Sequence, residues 1–529
     1  MQNPWWQTGI IYEIYPRSFQ DSDGDGVGDL TGIISRLDYL HWLGVDAVWI
    51  GPIYPSPMAD FGYDVAEYTG VDPLFGTLET FDRLLAEAHA RGIRVILDLV
   101  PNHTSDRHPW FLQSRRSRED PKRGWYVWRD PAPDGGPPNN WLSSFGGPAW
   151  SFDEPTGQYY LHSFLPEQPD LNWRHPEMWP QMERVMRFWL DRGVDGFRVD
   201  VVWHLVKDAR LRDNPRNPDY RPRRDPPNEA LVPAFSADQP EVQEIVARMR
   251  RTTDEYPGRV LIGEAYLPFG RLVRYYGVAS PGMHLPLNFH LITSPWEAVE
   301  VESTVAEYEG TLPPDAWPNW VLGNHDRSRV ASRVGAGQAR VAAMLLLTLR
   351  GTPVLYYGDE IGMPDAEIPP ERMRDPRGKR IPGSSRDPAR APMRWDGSPG
   401  AGFTTGDPWL PAGGVPAGYS VEAQRDDPGS VLTLYRHLVR LRRAEPALHR
   451  GPYTPVPAAG ENTLGYVREW QDRRFLVALN FGEGAARFRP ERGTVQGRVV
   501  LSTRLDREGE AVDGGLELRG DEGVVVLLS

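Results

Sequence analysis

Arg198 and Asp200 stand two residues apart in the run Gly196–His204, GFRVDVVWH, inside a stretch that otherwise reads as a buried β-strand. Strand side chains repeat every second position, so both groups project to one side, where the guanidinium holds the carboxylate ionised, as a nucleophile needs. An architectural ion pair uses the same pattern. Three further segments bear on the choice. VILDLVPNHTS closes an apolar run with Asp98, Asn102 and His103, RVLIGEAYLP delivers Glu264, and WPNWVLGNHDRSR ends in His325, Asp326 and Arg329. Each is a continuous apolar run with its polar chemistry at or beyond the C-terminal end, the pattern of a parallel barrel whose active site sits on that face.

The elements that must position these groups are legible in the apolar patterning. Eight candidate strands fall at 9–19, 45–52, 93–101, 194–202, 259–266, 284–291, 319–324 and 352–360, separated by helix-like segments such as TFDRLLAEAHARG and ARVAAMLLLTLRG, several closing on glycine. Strands alternating with helices predict an α/β fold, a (β/α)8 barrel, over residues 1–102 and 175–450. Residues 103–174, rich in Trp, Pro, Gly and Asn, predict an inserted lobe after strand 3, over the C-terminal face. A Pro- and Arg-rich excursion after strand 8 is expected to line the same mouth. Short alternating runs over 451–529 predict a C-terminal antiparallel β-sandwich domain.

At 529 residues the chain affords several cores, and its 52 prolines and 53 glycines mark a loop-rich ordered protein. The formal net charge of −13, with no long basic run, argues against nucleic acid or an anionic membrane as partner and favours a neutral substrate. No cysteine is present, which excludes disulfides, thiolate metal sites and a Cys nucleophile. The start lacks a signal-peptide pattern and no long apolar run follows, so a cytoplasmic location is expected; oligomeric state is not legible.

Asp200, Glu264 and Asp326, on three different strands, match the need of an oxocarbenium-like transition state for a nucleophile, a proton donor and an electrostatic stabiliser. With the motifs DLVPNH, GFRVD, GEAY, GNHD and QPDLNW, the chain resembles the α-amylase family, glycoside hydrolase family 13, and within it the α-glucosidase and oligo-1,6-glucosidase group, over essentially its whole length. The resemblance implies Asp200 as nucleophile, Glu264 as general acid and then base, and Asp326 as stabiliser. It implies that Asp60 and Arg329 pair to close the pocket around the non-reducing glucose, that Tyr63 offers a ring for stacking, and that His103 and His325 bind sugar hydroxyls, with Arg198 beside the nucleophile. Asp200 is expected to stay charged, whereas Glu264 has no cation adjacent in sequence and is expected to keep a raised pKa. A carboxyl separation of about 5 to 5.5 Å and retention of configuration follow. Among the 19 tryptophans, Trp141 and Trp173 are the candidate substrate neighbours.

The loop Asp21–Asp29, DSDGDGVGD, alternates acidic side chains around Gly24 and Gly26, as hard cations require. An Asx-rich turn without an ion has the same look. By the resemblance, Asp21, Asp23, Asp25, Asp29 and the Val27 carbonyl bind one structural Ca²⁺, or Mg²⁺. Val201, next to the nucleophile, matches the residue associated with α-1,6 linkages, so an exo-acting enzyme on short α-1,6-linked gluco-oligosaccharides is expected, with α-1,4 activity alongside. A transglycosylase or isomerase of the trehalose synthase or sucrose isomerase type is the close alternative. A non-catalytic amylase-like binding protein is the alternative of another class.

Overall fold

Short, β-branched apolar runs become eight parallel strands in the computed structural model, which describes residues 3–277, 279–412, 416, 418–458 and 462–529. They are β1 (Ile11–Ile14), β2 (Ala47–Ile50), β3 (Arg94–Leu99), β4 (Gly196–Val199), β5 (Val260–Glu264), β6 (Leu285–Leu287), β7 (Asn319–Val321) and β8 (Thr352–Tyr356). Their hydrogen-bonded order is β7-β8-β1-β2-β3-β4-β5-β6. At the remaining seam, between β6 and β7, a side chain replaces the ladder: Asn319 accepts the Asn288 N–H at 2.8 Å and donates to the Pro286 carbonyl at 2.6 Å. Pro286 has no N–H to offer a neighbouring strand, so the amide takes over its edge.

Alternate residues fill the barrel interior. Ile11, Ala47, Trp49, Ile96, Ile262, Leu285, Val321 and Val354 form one buried cluster, while the residues between them face the helices. The first strand is shorter than its apolar run, because Pro16 opens a helix at Pro16–Phe19. Helices Leu78–Ala90, Met178–Asp191, Val242–Asp254, Ala298–Thr311 and Ala336–Thr348 lie between consecutive strands.

Between β3 and β4 the chain forms a helix, Pro109–Ser114, and a three-stranded antiparallel sheet ordered Trp128–Arg129, Gln158–Leu161, Trp150–Asp153. Its bridge His103↔Asp170 ties it to the end of β3. The excursion after β8 runs back across the mouth, and helix Val431–Ala444 then leads to a six-stranded antiparallel sheet and a two-stranded one, Ala486–Phe488 with Leu516–Leu518. Gly465 is required where Phe488 crosses the larger sheet, since a Cβ there would meet the ring at 2.2 Å.

Candidate active site

Arg198 is the hub of the site. It projects from β4 into the C-terminal end of the barrel, buried, with its guanidinium 4.8 Å from the Trp49 ring centroid. Nη1 holds Asp98 Oδ1 at 2.7 Å and Asp200 Oδ1 at 2.8 Å, and Nη2 holds Glu264 Oε2 at 2.7 Å. One cation therefore serves three carboxylates. It cannot neutralise all of them, and protons are retained instead. Burial pushes Asp98 up to about 6 against the pull of Arg198. Burial likewise raises Asp200 well above the usual carboxylate range, with Arg198 opposing and the neighbouring Glu264, in hydrogen-bond contact, adding to the rise. Two expectations are thereby corrected. Glu264 does have an adjacent cation, brought by the strand next to its own, and the Asp200 carboxyl is held above the usual range by burial instead of standing simply ionised.

The residue after Asp200 is strained. Val201 has φ 36° and ψ 45°, a left-handed conformation that β-branched residues rarely adopt. That turn aims its N–H at Glu264 Oε2, 2.9 Å away. Oε2 thus receives two donors, Arg198 Nη2 and Val201 N–H.

Asp326 completes the acidic trio from the loop beyond β7. Burial opposes its ionisation, but the guanidiniums of Arg386, Arg390 and Arg198 around it hold it well below the usual range. Arg390 Nη2 lies 2.9 Å and Arg386 Nη1 3.3 Å from Oδ1. Asp200, Glu264 and Asp326 all line one cavity, together with Asp60, Tyr63, His103, His325 and Arg386.

The arginine that pairs with Asp60 is Arg386, at 2.6 Å, and Arg386 also binds Asp375 at 2.7 Å. Arg329 is corrected: it begins helix Val330–Val334, turns inward between Tyr356 and Tyr357, and donates to the Tyr357 carbonyl at 2.6 Å, away from the cavity. The excursion after β8 was expected to line this mouth, but nothing local in it singles out Arg386.

Beneath the cavity four residues form one chain of hydrogen bonds. Glu13 Oε1 meets His325 Nδ1 at 2.5 Å, His325 Nε2 meets the Tyr63 hydroxyl at 2.8 Å, and that hydroxyl donates to Asp98 Oδ2 at 2.9 Å. Three bonds need three protons. Tyr63 supplies one and a neutral imidazole one, so Glu13 supplies the third as a carboxylic acid. Among the described residues its other oxygen is buried without a partner, which favours the neutral form. The titration directions agree: burial raises Glu13, and burial lowers His325 to about 3. The Tyr63 ring stacks on His325, with centroids 5.4 Å apart. Glu13 was missed from the sequence, although a lone glutamate in the apolar strand IYEI is a signal that a buried partner exists.

His103 takes the Asn102 Nδ2–H on Nδ1 at 3.1 Å and donates from Nε2 to the Tyr63 carbonyl at 3.1 Å. Burial lowers it to about 4, so it stays neutral. Lys207 and Asp170, paired at 2.6 Å, support it through Asn102. Trp141 and Trp173 do not reach the cavity. Trp141 packs on Trp150 and donates to the Arg212 carbonyl, and Trp173 donates to the Pro101 carbonyl, because both indole N–H groups close loop backbone instead. The Phe, Tyr and Trp rings that do line it are Tyr63, Phe145, Phe164, Trp203 and Tyr266.

In the acidic loop, oxygens of Asp21, Asp23 and Asp29 gather within 4.8 Å of one another. Asp25 lies outside that group and accepts the Val27 N–H at 2.7 Å. Gly24 and Gly26, at φ 86° and 91°, let Asp21 accept three loop N–H groups, with Thr404 donating to its other side.

A barrel of this topology with three carboxylates over one guanidinium defines a glycoside-cleaving enzyme, and similarity to known proteins agrees. Residues 13–451 match the alpha-amylase catalytic domain. The chain is 42% identical over 528 residues to a probable alpha-glucosidase of Rhizobium meliloti (strain 1021), covering 95% of each, and 37% identical over 527 residues to the oligo-1,6-glucosidase of Heyndrickxia coagulans, covering 92% and 93%. The crystal structure of an alpha-glucosyl transfer enzyme, XgtA, superposes with a TM-score of 0.93 at 41% identity, covering all of both chains. The protein belongs to the α-amylase family and is a glycoside hydrolase. Among the described residues, no helix is long and apolar enough to cross a membrane.

Proposed function

We propose that the protein is an exo-acting, retaining α-glucosidase that releases glucose from the non-reducing end of short α-gluco-oligosaccharides, with α-1,6 linkages preferred and α-1,4 accepted. The observation that carries this is the seating of Asp200 and Glu264 on two arms of one guanidinium, in mutual contact. Inverting enzymes hold their carboxyls about 6.5–9.5 Å apart to admit a water between them. Burial and the contact with Glu264 hold the resting Asp200 carboxyl above the usual range, and positive charge growing at the anomeric carbon favours its ionised form. Asp200 Oδ2 then bonds to the anomeric carbon as the glycosidic C–O bond breaks and Glu264 protonates the leaving oxygen. In the second half a water loses its proton to Glu264 and attacks the same carbon, freeing Asp200. Asp326, held as an anion throughout, opposes the positive charge of both transition states.

The Asp60–Arg386 bridge supports a pocket closed beyond one glucose and hence exo action. Val201 supports the α-1,6 lean, a discrimination of about 1–3 kcal/mol. Relative rates on isomaltose, maltose and soluble starch test the pocket, and rapid internal cleavage of starch would refute it. NMR of the first product is expected to show the α-anomer. Asp200→Ala is expected to cut turnover more than about 10⁴-fold with the fold retained.

Glucosyl transfer is the second reading, favoured by the likeness to XgtA; chromatography of free glucose against rearranged disaccharide separates the two. We also propose that Asp21, Asp23 and Asp29, with Asp25 and the Val27 carbonyl completing the shell, hold one structural Ca²⁺ or Mg²⁺. Its charge would tie the loop to Thr404 and the excursion after β8. Chelation is then expected to lower the melting temperature first, with activity following unfolding.

A further inference from the structure

The wall of the catalytic cavity also carries polar groups that bond cleavage does not use. Arg327 and Arg377 both line it, and neither has a side-chain hydrogen bond or ion pair among the described residues. This sets them apart from Arg198 and Arg386 beside them, each bound to three carboxylates. Arg327 is held over the Tyr266 ring, 5.2 Å from its centroid, and Tyr266 stacks in turn on Phe289 at 4.3 Å. Arg377 is half-buried in the short helix Pro376–Arg380, and its Nε is buried with no acceptor. Among the described residues, Trp203 Nε1, in the same wall, is another buried donor without a partner, and Asn228 Oδ1 a buried acceptor without one. Arg327, Arg386, Asp326 and Asp375 are the charged groups that act on Arg377. Both of those aspartates are already engaged by Arg386, and Asp326 by Arg390 as well. Glu229 is the remaining carboxylate on the cavity wall, exposed at its edge.

We propose that the leaving-group side of this cavity is an anion site, in which Arg327 and Arg377 bind a phosphate ester or carboxylate carried by the aglycone. α-Glucosides with an anionic aglycone are then turned over in preference to neutral ones of the same linkage. The proposal rests on the α-glucosidase reading and specifies which leaving groups that site takes. The net charge of −13 does not oppose it, because screening confines a surface field to about 8 Å at physiological salt and the local balance is two guanidiniums against one carboxylate. Arginine is suited to the role, since its planar fork matches both phosphate and carboxylate.

The test compares kcat/KM within two pairs, trehalose 6-phosphate against trehalose and 4-carboxyphenyl against phenyl α-glucoside, for the intact protein and for Arg327→Gln, Arg377→Gln and the double variant. The anionic member is expected to lead by about tenfold or more in at least one pair, which also identifies the group preferred. That ratio is expected to shrink as salt is raised, to approach one in the double variant, and to grow in Glu229→Gln. Should the double variant fail to fold, the salt series and Glu229→Gln still decide. A ratio of one or less in both pairs, or a ratio indifferent to salt and to all the variants, overturns the anion site while leaving the α-glucosidase reading intact. Failure to release glucose from any α-glucoside would instead sink that underlying reading.

Discussion

Buried arginines do opposite jobs at the two ends of this molecule. At the mouth of the barrel, Arg198, Arg386 and Arg390 are bound to carboxylates, which they hold in place and in charge. At the junction with the C-terminal sheets, Arg442 and Arg468 are equally buried and, among the described residues, form no ion pair with a carboxylate. Arg442 donates to the carbonyls of Leu347, Leu349 and Leu448 and to that of Gly351, and Arg468 to those of Thr348, Gly451 and Pro452. Several of these carbonyls end helix Ala336–Thr348, where the backbone lacks partners and the helix dipole favours a cation. Burial lowers Arg442 to about 10 and Arg468 to about 9, the second also repelled by the first. The first setting makes arginine an electrostatic instrument, and the second makes it a splice between domains. Burial alone therefore does not say which function an arginine serves; the chemistry of its acceptors does.

Substitutions can break this contrast. Arg386→Ala is expected to lower kcat/KM by about 10²–10³-fold, because it opens the bridge to Asp60 and removes a cation from Asp326; steady-state kinetics on isomaltose measure it. Arg329→Met, by contrast, is expected to affect stability more than turnover, and an equal loss of kcat/KM in both would erase the correction drawn between them. Arg442→Met is expected to cost about 3 kcal/mol by leaving buried carbonyls unpaired, seen as a lower denaturation midpoint, while kcat per folded molecule stays within about twofold. A kinetic defect without a stability defect would put Arg442 in the wrong class.

Glu13→Gln gives the smallest effect and the sharpest one. The folded pKa of Glu13 is raised, so its hydrogen bond to His325 is fully present below the ordinary carboxylate pKa and is lost as pH rises through the raised value. A glutamine amide donates at every pH. The variant is therefore expected to stay active and to lose part of the alkaline fall in kcat/KM, and a pH profile identical to the unsubstituted protein would refute the protonated Glu13.

The barrel and the acidic trio were legible because their signals are local. An apolar run ending in Asp200, Glu264 or Asp326 states both that a strand exists and which end of it carries chemistry. Glu13 was legible in principle, as a carboxylate inside IYEI, but its partner His325 lies 312 positions away. The surroundings of Asp200 and Glu264 are not legible because they depend on strand pairing: Arg198 lies opposite Asp98 on β3, and its side chain reaches Glu264, two residues beyond its register partner Ile262 on β5.

By itself, the sequence determined the alternation of strands and helices, the face of the barrel that bears the site, and the three carboxylates at its centre. All of these follow from side-chain periodicity over a few residues. Only the tertiary structure decided that Arg386 closes on Asp60, that Arg329 turns inward, that Glu13 must hold a proton and that Arg327 and Arg377 line the cavity with, among the described residues, no side-chain hydrogen bond or ion pair. Those outcomes depend on which distant loops meet around a buried charge, and a charge takes whatever acceptor the fold brings within about 3 Å.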